Sequence, residues 1–246
     1  MIMSKKIIMN ATELEVAQNA ISAEIDAHAK ELGYNEEETM PIRDGVCDFD
    51  GYLNSNPKVM WILKEPNGQF ANGELEGGGW SIVEESFRDD IEGVAKQPTW
   101  QPIIYVMHGY LNGQKYNDMS CIRDNMDMAK VLQRIAYLNV GKMPGYRTSA
   151  DYKIRQFYSQ WKPILDRQIE AYSPDVIIFG NTFEYFREYF EQKGLENVGS
   201  TPEWIDMYKS DTFLLLSAWH PAARKSKKEY VDTLIEALNK YYPINK

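Results

Sequence analysis

The chain has 246 residues, enough for one large α/β domain, and 43% of them are hydrophobic, ample for a core. A formal net charge of -9 and a pI near 5.0 exclude a surface that embraces nucleic acid all round, since phosphate binding draws on clustered Lys and Arg. Cys47 and Cys121 form no CxxC and no set of four, which excludes a thiolate zinc or iron–sulfur site, and no apolar run reaches the length of a signal peptide or membrane span, so a cytoplasmic setting is expected.

Residues 12 to 32 place Leu14, Ala17, Ile21, Ile25 and Leu32 at helical spacing, with Thr12 and Glu15 as a capping box and Gly33 as the stop. Residues 34 to 57 lack periodicity and read as a loop leading to the first strand, so residues 1–57 are expected to form an N-terminal helical extension. The first strand is 58 to 63, apolar from Val59 to Leu63 and therefore buried on both faces. A glycine-rich stretch, "NGQFANGELEGGGW", follows it and predicts a long mobile loop beside the strand's end.

Helical patterns follow around 81 to 92, 99 to 111 and 119 to 134, then a short strand at 135 to 139 that stops at Gly141 and Pro144. A long helix is predicted over 149 to 171, where Ile154, Phe157, Trp161, Ile164, Leu165 and Ile169 share one face. A strand at 175 to 179, an aromatic-faced helix ending at Gly194, a strand at 212 to 217 and a helix at 226 to 240 complete the chain. Strands alternating with helices predict one domain over residues 1–246, a three-layer α/β/α sandwich around a central four-stranded parallel sheet.

In such a sheet, ligands bind beyond the carboxyl ends of the strands, and here each of those ends carries polar side chains. The first offers Lys64, Glu65 and Asn67, the second Asn139 and Lys142, the third Gly180 and Asn181, and the fourth Ser217, Trp219 and His220. His28 and His108 fall within helices and read as face residues, which leaves His220 as the histidine at a strand end. A carboxylate facing a histidine suits hydrolysis, Glu65 orienting or deprotonating water and His220 stabilising charge on a leaving group. The amide of Asn139 can read a polar ring edge, since it offers both donor and acceptor. No GxSxG elbow, P-loop or GxGxxG is present, which disfavours a serine hydrolase and nucleotide binding of those kinds.

These stretches resemble the uracil-DNA glycosylase superfamily. "WILKEPNG" is similar to its first motif, with Glu65 at the place of the water-activating residue, and "LLLSAWHPAAR" is similar to its last, with His220 in the His-Pro turn. "YLNVGKMPG" resembles the segment whose Asn recognises uracil, here Asn139, and "SPDVIIFGN" the penultimate strand, so the likeness covers most of residues 58 to 240. The resemblance implies a base flipped out of its stack into a pocket at the sheet edge, with no metal or cofactor required and no iron–sulfur cluster. Lys64, Asn67, Asn139 and Lys142 would line that pocket, and Phe70 or Trp80 would supply the stacking ring. Arg224, Lys225, Lys227 and Lys228, after the His-Pro turn, read either as a phosphate clamp for DNA or as a solvated helix start. Three readings remain open: a DNA base-excision glycosylase, a non-catalytic nucleobase or damaged-DNA binder of the same fold, and a hydrolase of small N-glycosides.

Overall fold

The computed structural model describes residues 9–34, 39–71, 74–146, 150–201, 205–223 and 226–244. In chain order its first elements are α1 (Ala11–Glu31), β1 (Gly45–Val46), α2 (Phe49–Leu53), β2 (Val59–Leu63), β3 (Gln69–Ala71) and β4 (Glu74–Glu76). A π-helical turn over Ile82–Arg88 leads to α3 (Ile91–Ala95), α4 (Trp100–Asn112), a 3-10 segment at Met126–Arg134 and β5 (Ala136–Asn139). The remainder is α5 (Asp151–Tyr172), β6 (Val176–Gly180), α6 (Phe183–Glu191), β7 (Glu196–Ser200), β8 (Asp206–Lys209), β9 (Leu214–Ala218) and α7 (Lys227–Tyr241).

The sheet holds seven strands, in the order β1-β5-β2-β6-β9-β8-β7, rather than the four expected. Its centre, β5-β2-β6-β9, is parallel throughout, and these are the four strands read from apolar runs. The additional strands β1, β8 and β7 pair antiparallel at the two edges. Residues before 58 thus supply more than a helix, because β1 extends the sheet beside β5.

Both faces of the central strands are covered, which explains their unbroken apolar character. Val59, Trp61 and Leu63 of β2 join the core shared with α4 and α7, whereas Met60 and Ile62 join the core shared with α1, α5 and α6. The same alternation holds on β6, with Val176 and Ile178 on one side and Ile177 and Phe179 on the other. The three-layer α/β/α arrangement follows.

Several local features differ from the expected ones. The cap of α1 is Asn10 with Glu13, each accepting from the other's backbone N–H at 2.9 Å, two residues earlier than Thr12 with Glu15. The glycine-rich stretch forms the hairpin β3–β4 instead of an open loop. The expected helix at 119 to 134 is a 3-10 segment confined to Met126–Arg134, whose apolar side chains Met128, Ala129 and Leu132 still face the core. Among the described residues no helix is long and apolar enough to cross a membrane.

The order of the parallel strands locates the cleft. From β2 the chain moves outward to β5 on one side, then crosses β2 to enter β6 on the other and continues to β9. Such a reversal leaves a crevice at the carboxyl ends of the strands between which the direction changes, here β2 and β6.

Candidate active site

The turn after β2 is laced to the loop after β5 by backbone hydrogen bonds. Gly141 N–H donates to the Lys64 carbonyl at 2.9 Å, Gly145 N–H to the Pro66 carbonyl at 2.7 Å, and Gly68 N–H to the Gly145 carbonyl at 2.9 Å. Glu65 lies in the angle between these segments. A Cβ placed on Gly145 would fall 2.1 Å from Glu65 Cγ, and one on Gly141 would fall 3.3 Å from Glu65 Cβ and 2.8 Å from the ring of Phe157. Two glycines therefore let the backbone close on the carboxylate side chain. Gly145→Ala is expected to keep the fold but displace Glu65, lowering turnover on the order of a hundredfold, as misplacement by about 1 Å does; unchanged steady-state rates would refute this.

On the other side of the crevice, the His-Pro turn follows β9 and packs over the end of β6. A Cβ on Gly180 would meet Leu63 at 2.2 Å and Pro221 at 3.2 Å, so the bare backbone of Gly180 lets the ends of β2 and β9 approach each other. Asn181 next to it adopts a left-handed conformation, φ 61, and its N–H donates to the Ala218 carbonyl at 2.7 Å. His220 borders a pocket shared with Gln101, Lys227 and Tyr230 from the starts of α4 and α7.

The protonation state of His220 follows from its surroundings. Burial, reinforced by the positive charge of Lys64, pulls its pKa down to about 4, so the imidazole is neutral near pH ~7. Its Nδ1 accepts the Ala222 backbone N–H at 3.2 Å, which places the remaining ring proton on Nε2. His220 is thus a neutral N–H donor at the mouth of the cleft. Because folding depresses this pKa, the unfolded chain takes up the proton first, and stability is lost as pH falls from 6.5 through about 4. His220→Gln should flatten that part of the stability profile, seen as a wild-type-minus-variant difference in urea midpoints that shrinks on acidification; a difference independent of pH would refute it.

Sequence reasoning missed a cluster next to Glu65. Tyr185 on α6 donates its hydroxyl to Asp151 Oδ1 at 2.7 Å, and Arg155 Nε donates to Asp151 Oδ2 at 2.8 Å. The Tyr185 hydrogen bond, then the Arg155 bond and the charges of Arg155 and Lys64, hold Asp151 below the usual carboxylate range. Burial, with the Asp151 bond and the negative charges of Asp151 and Glu65, raises the pKa of Tyr185. Lys64 therefore acts on both His220 and Asp151, and Glu65 on Tyr185, which ties the starts of α5 and α6 to the same cleft. Helix-borne residues of this kind carry no motif, so only the fold reveals them.

The other expected site residues divide. Asn139 ends β5, is 1% exposed, and has an Oδ1 without a hydrogen-bond partner among the described residues, while its backbone N–H donates to Asp44 at 2.7 Å. Asn67 is exposed, and its backbone bridges to Gly145. Trp80 is half-buried against the core shared with α4 and α7. The side chain of Phe70 lies outside what is described, as do Arg224 and Lys225.

Lys142, expected to meet substrate, is instead a core residue. It is wholly buried, and its Nζ donates to both Asp44 carboxylate oxygens at 2.9 and 2.8 Å and to Gln168 Oε1 at 2.8 Å. Burial lowers its pKa while Asp44 opposes that shift. Lys227 and Lys228 also have internal acceptors, Gln101 Oε1 at 2.9 Å and Asp232 Oδ2 at 2.8 Å. Both are thereby drawn back toward the protein. Among the described residues no cluster of His, Cys, Asp and Glu has the form of a metal site.

No protein-family model matches the chain, and no curated protein matches it.

Proposed function

We propose that this protein is a DNA base-excision glycosylase of the uracil-DNA glycosylase type, hydrolysing the N-glycosidic bond of uracil or another deaminated base. The observation that carries this reading is His220, neutral with its proton on Nε2 in the turn after β9, while Glu65 lies in the turn after β2 of the same parallel sheet. Cleavage of the bond between C1′ and the base nitrogen sends the bonding electrons into the base. His220 Nε2–H donates to the base oxygen on which that charge grows, and Glu65 accepts the proton of the water that adds to C1′. The carboxylate also favours the cationic sugar that precedes water addition. Asn139, with a buried acceptor awaiting an N–H, suits the recognition of a ring edge. The sequence likeness to the superfamily and the parallel order of β5, β2, β6 and β9 support the same assignment.

The engagement of Lys227 and Lys228 by Gln101 and Asp232 favours a second reading, hydrolysis of a small N-glycoside that needs no phosphate clamp. A base-release assay on labelled oligonucleotides carrying uracil, hypoxanthine, xanthine or a mismatch, run beside the free nucleosides, separates the two. Release from oligonucleotides alone supports the glycosylase; release from nucleosides alone supports the second reading; tight binding without release identifies a non-catalytic binder.

A further inference from the structure

Most lysines among the described residues are occupied. Lys115, Lys142 and Lys228 pair with carboxylates, and Lys227 donates to Gln101. Lys64 and Lys96 differ, since neither has a hydrogen bond or an ion pair among the described residues. Lys96 is exposed at the end of α3, where water serves it. Lys64 is half-buried in the turn after β2, so its side chain gives up part of its hydration and gains no acceptor in return.

The surroundings fix the direction of that side chain. Gly141 N–H donates to the Lys64 carbonyl at 2.9 Å, which anchors the backbone next to Glu65. The Lys64 charge reaches His220, which owes its neutrality chiefly to burial, and Asp151, which is held chiefly by Tyr185. His220 follows β9, and Tyr185 lies on α6, which follows β6. A side chain that leaves β2 and acts on both points over the end of β6, where the strand order reverses and the crevice opens.

An amine at such a place can bond to a carbonyl, and removal of a base from a sugar creates one. We infer that Lys64 is a nucleophile that forms an imine with the base-free sugar, giving the protein a lyase activity that cuts the strand on the 3′ side of that sugar. This rests on the proposed function in assuming that the cleft holds a sugar whose C1′ has lost its base. That C1′ carries a hydroxyl, and ring opening turns it into an aldehyde. After Lys64 sheds a proton to solvent, its nitrogen lone pair adds to C1′, and the carbonyl oxygen leaves as water to give a protonated imine. Glu65 then takes a proton from C2′, the C–H electrons form the C2′=C3′ bond, and the C3′–O bond breaks with its electron pair leaving on the 3′-phosphate. Addition of water to the imine restores the amine. Addition and elimination leave the overall oxidation state unchanged, so no oxidant or reductant is needed.

The test uses an oligonucleotide with a preformed abasic site, which removes any need for base release. In the presence of sodium cyanoborohydride, which reduces an imine to a stable amine, wild type should form a covalent protein–DNA adduct on a denaturing gel. Mass spectrometry of its peptides should place the adduct on Lys64. Without the reductant the strand should be cut 3′ to the site. Lys64→Arg keeps the positive charge, but its delocalised guanidinium does not condense with an aldehyde, so adduct and scission should be lost while the abasic strand is still bound. No adduct with wild type, an adduct mapped to another amine, or an adduct that survives in Lys64→Arg overturns the inference. Base release measured on the same wild type keeps the two claims apart. Release without an adduct defeats the lyase alone, and adduct and scission at the preformed site without release of any base defeat the glycosylase reading alone.

Discussion

His220→Ala is expected to lower base release by two to three orders of magnitude, about 2.7–4 kcal/mol of transition-state stabilisation. A neutral N–H donor strengthens its bond as negative charge collects on the departing base, so its loss should appear in kcat and kcat/KM together and leave KM nearly unchanged. Glu65→Gln should cost a comparable factor, since an amide neither accepts the water proton nor favours a cationic sugar. The pH profile gives an independent check. With a His220 pKa of about 4, protonation of the imidazole contributes no step to the profile near pH ~6.5, and any change in rate that His220 carries comes only as the medium approaches the depressed value. Substantial release by the Glu65→Gln, His220→Ala double variant would remove both residues from the mechanism, and an acid limb near pH ~6.5 that His220→Ala abolishes would show that the neutral form is the active one but that the fold does not depress its pKa.

The parts of this fold that could be read from sequence are those in which side-chain burial and backbone pairing give the same signal. β2, β6 and β9 are buried on both faces and appear as unbroken apolar runs, so their places along the chain and their carboxyl ends are legible in the sequence, whereas their order in the sheet is not. β7, with the sequence ENVGS and no fully buried residue, and the two-residue β1 are strands by hydrogen bonding to a neighbour and carry no such pattern. The candidate site divides along a similar line. Glu65, Asn139 and His220 were accessible because strand ends converge by topology, whereas Asp151 and Tyr185 reach the cleft from the starts of α5 and α6 through packing between distant segments. Lys142 shows the opposite failure, in that nothing in "VGKMPG" distinguishes a lysine that faces solvent from one enclosed with Asp44, a residue 98 positions earlier.

That enclosed pair supports the second large prediction. Lys142→Met leaves the Asp44 carboxylate buried with, among the described residues, the Asn139 N–H and the Gln168 side-chain amide as donors, and should destabilise the fold by about 3–5 kcal/mol. For a chain of this size the melting temperature should fall on the order of 10 °C, and a fall within error of zero would show that the pair is not load-sharing in the fold. The informative comparison is Asp44→Asn/Lys142→Met, which removes both charges but keeps an oxygen to accept the Asn139 N–H. Isolated loss of a buried charge partner costs more than loss of both, so the double variant should recover much of the stability of wild type. Its base release then reports on positioning rather than on folding. Lys142 lies between Gly141 and Gly145, the two residues that close on Glu65, and its carbonyl accepts the Ile42 N–H at 2.7 Å. A stable double variant with reduced turnover would show that the buried pair sets the wall against which Glu65 rests, and one with full turnover would assign that task to the backbone hydrogen bonds of Gly141 and Gly145 alone.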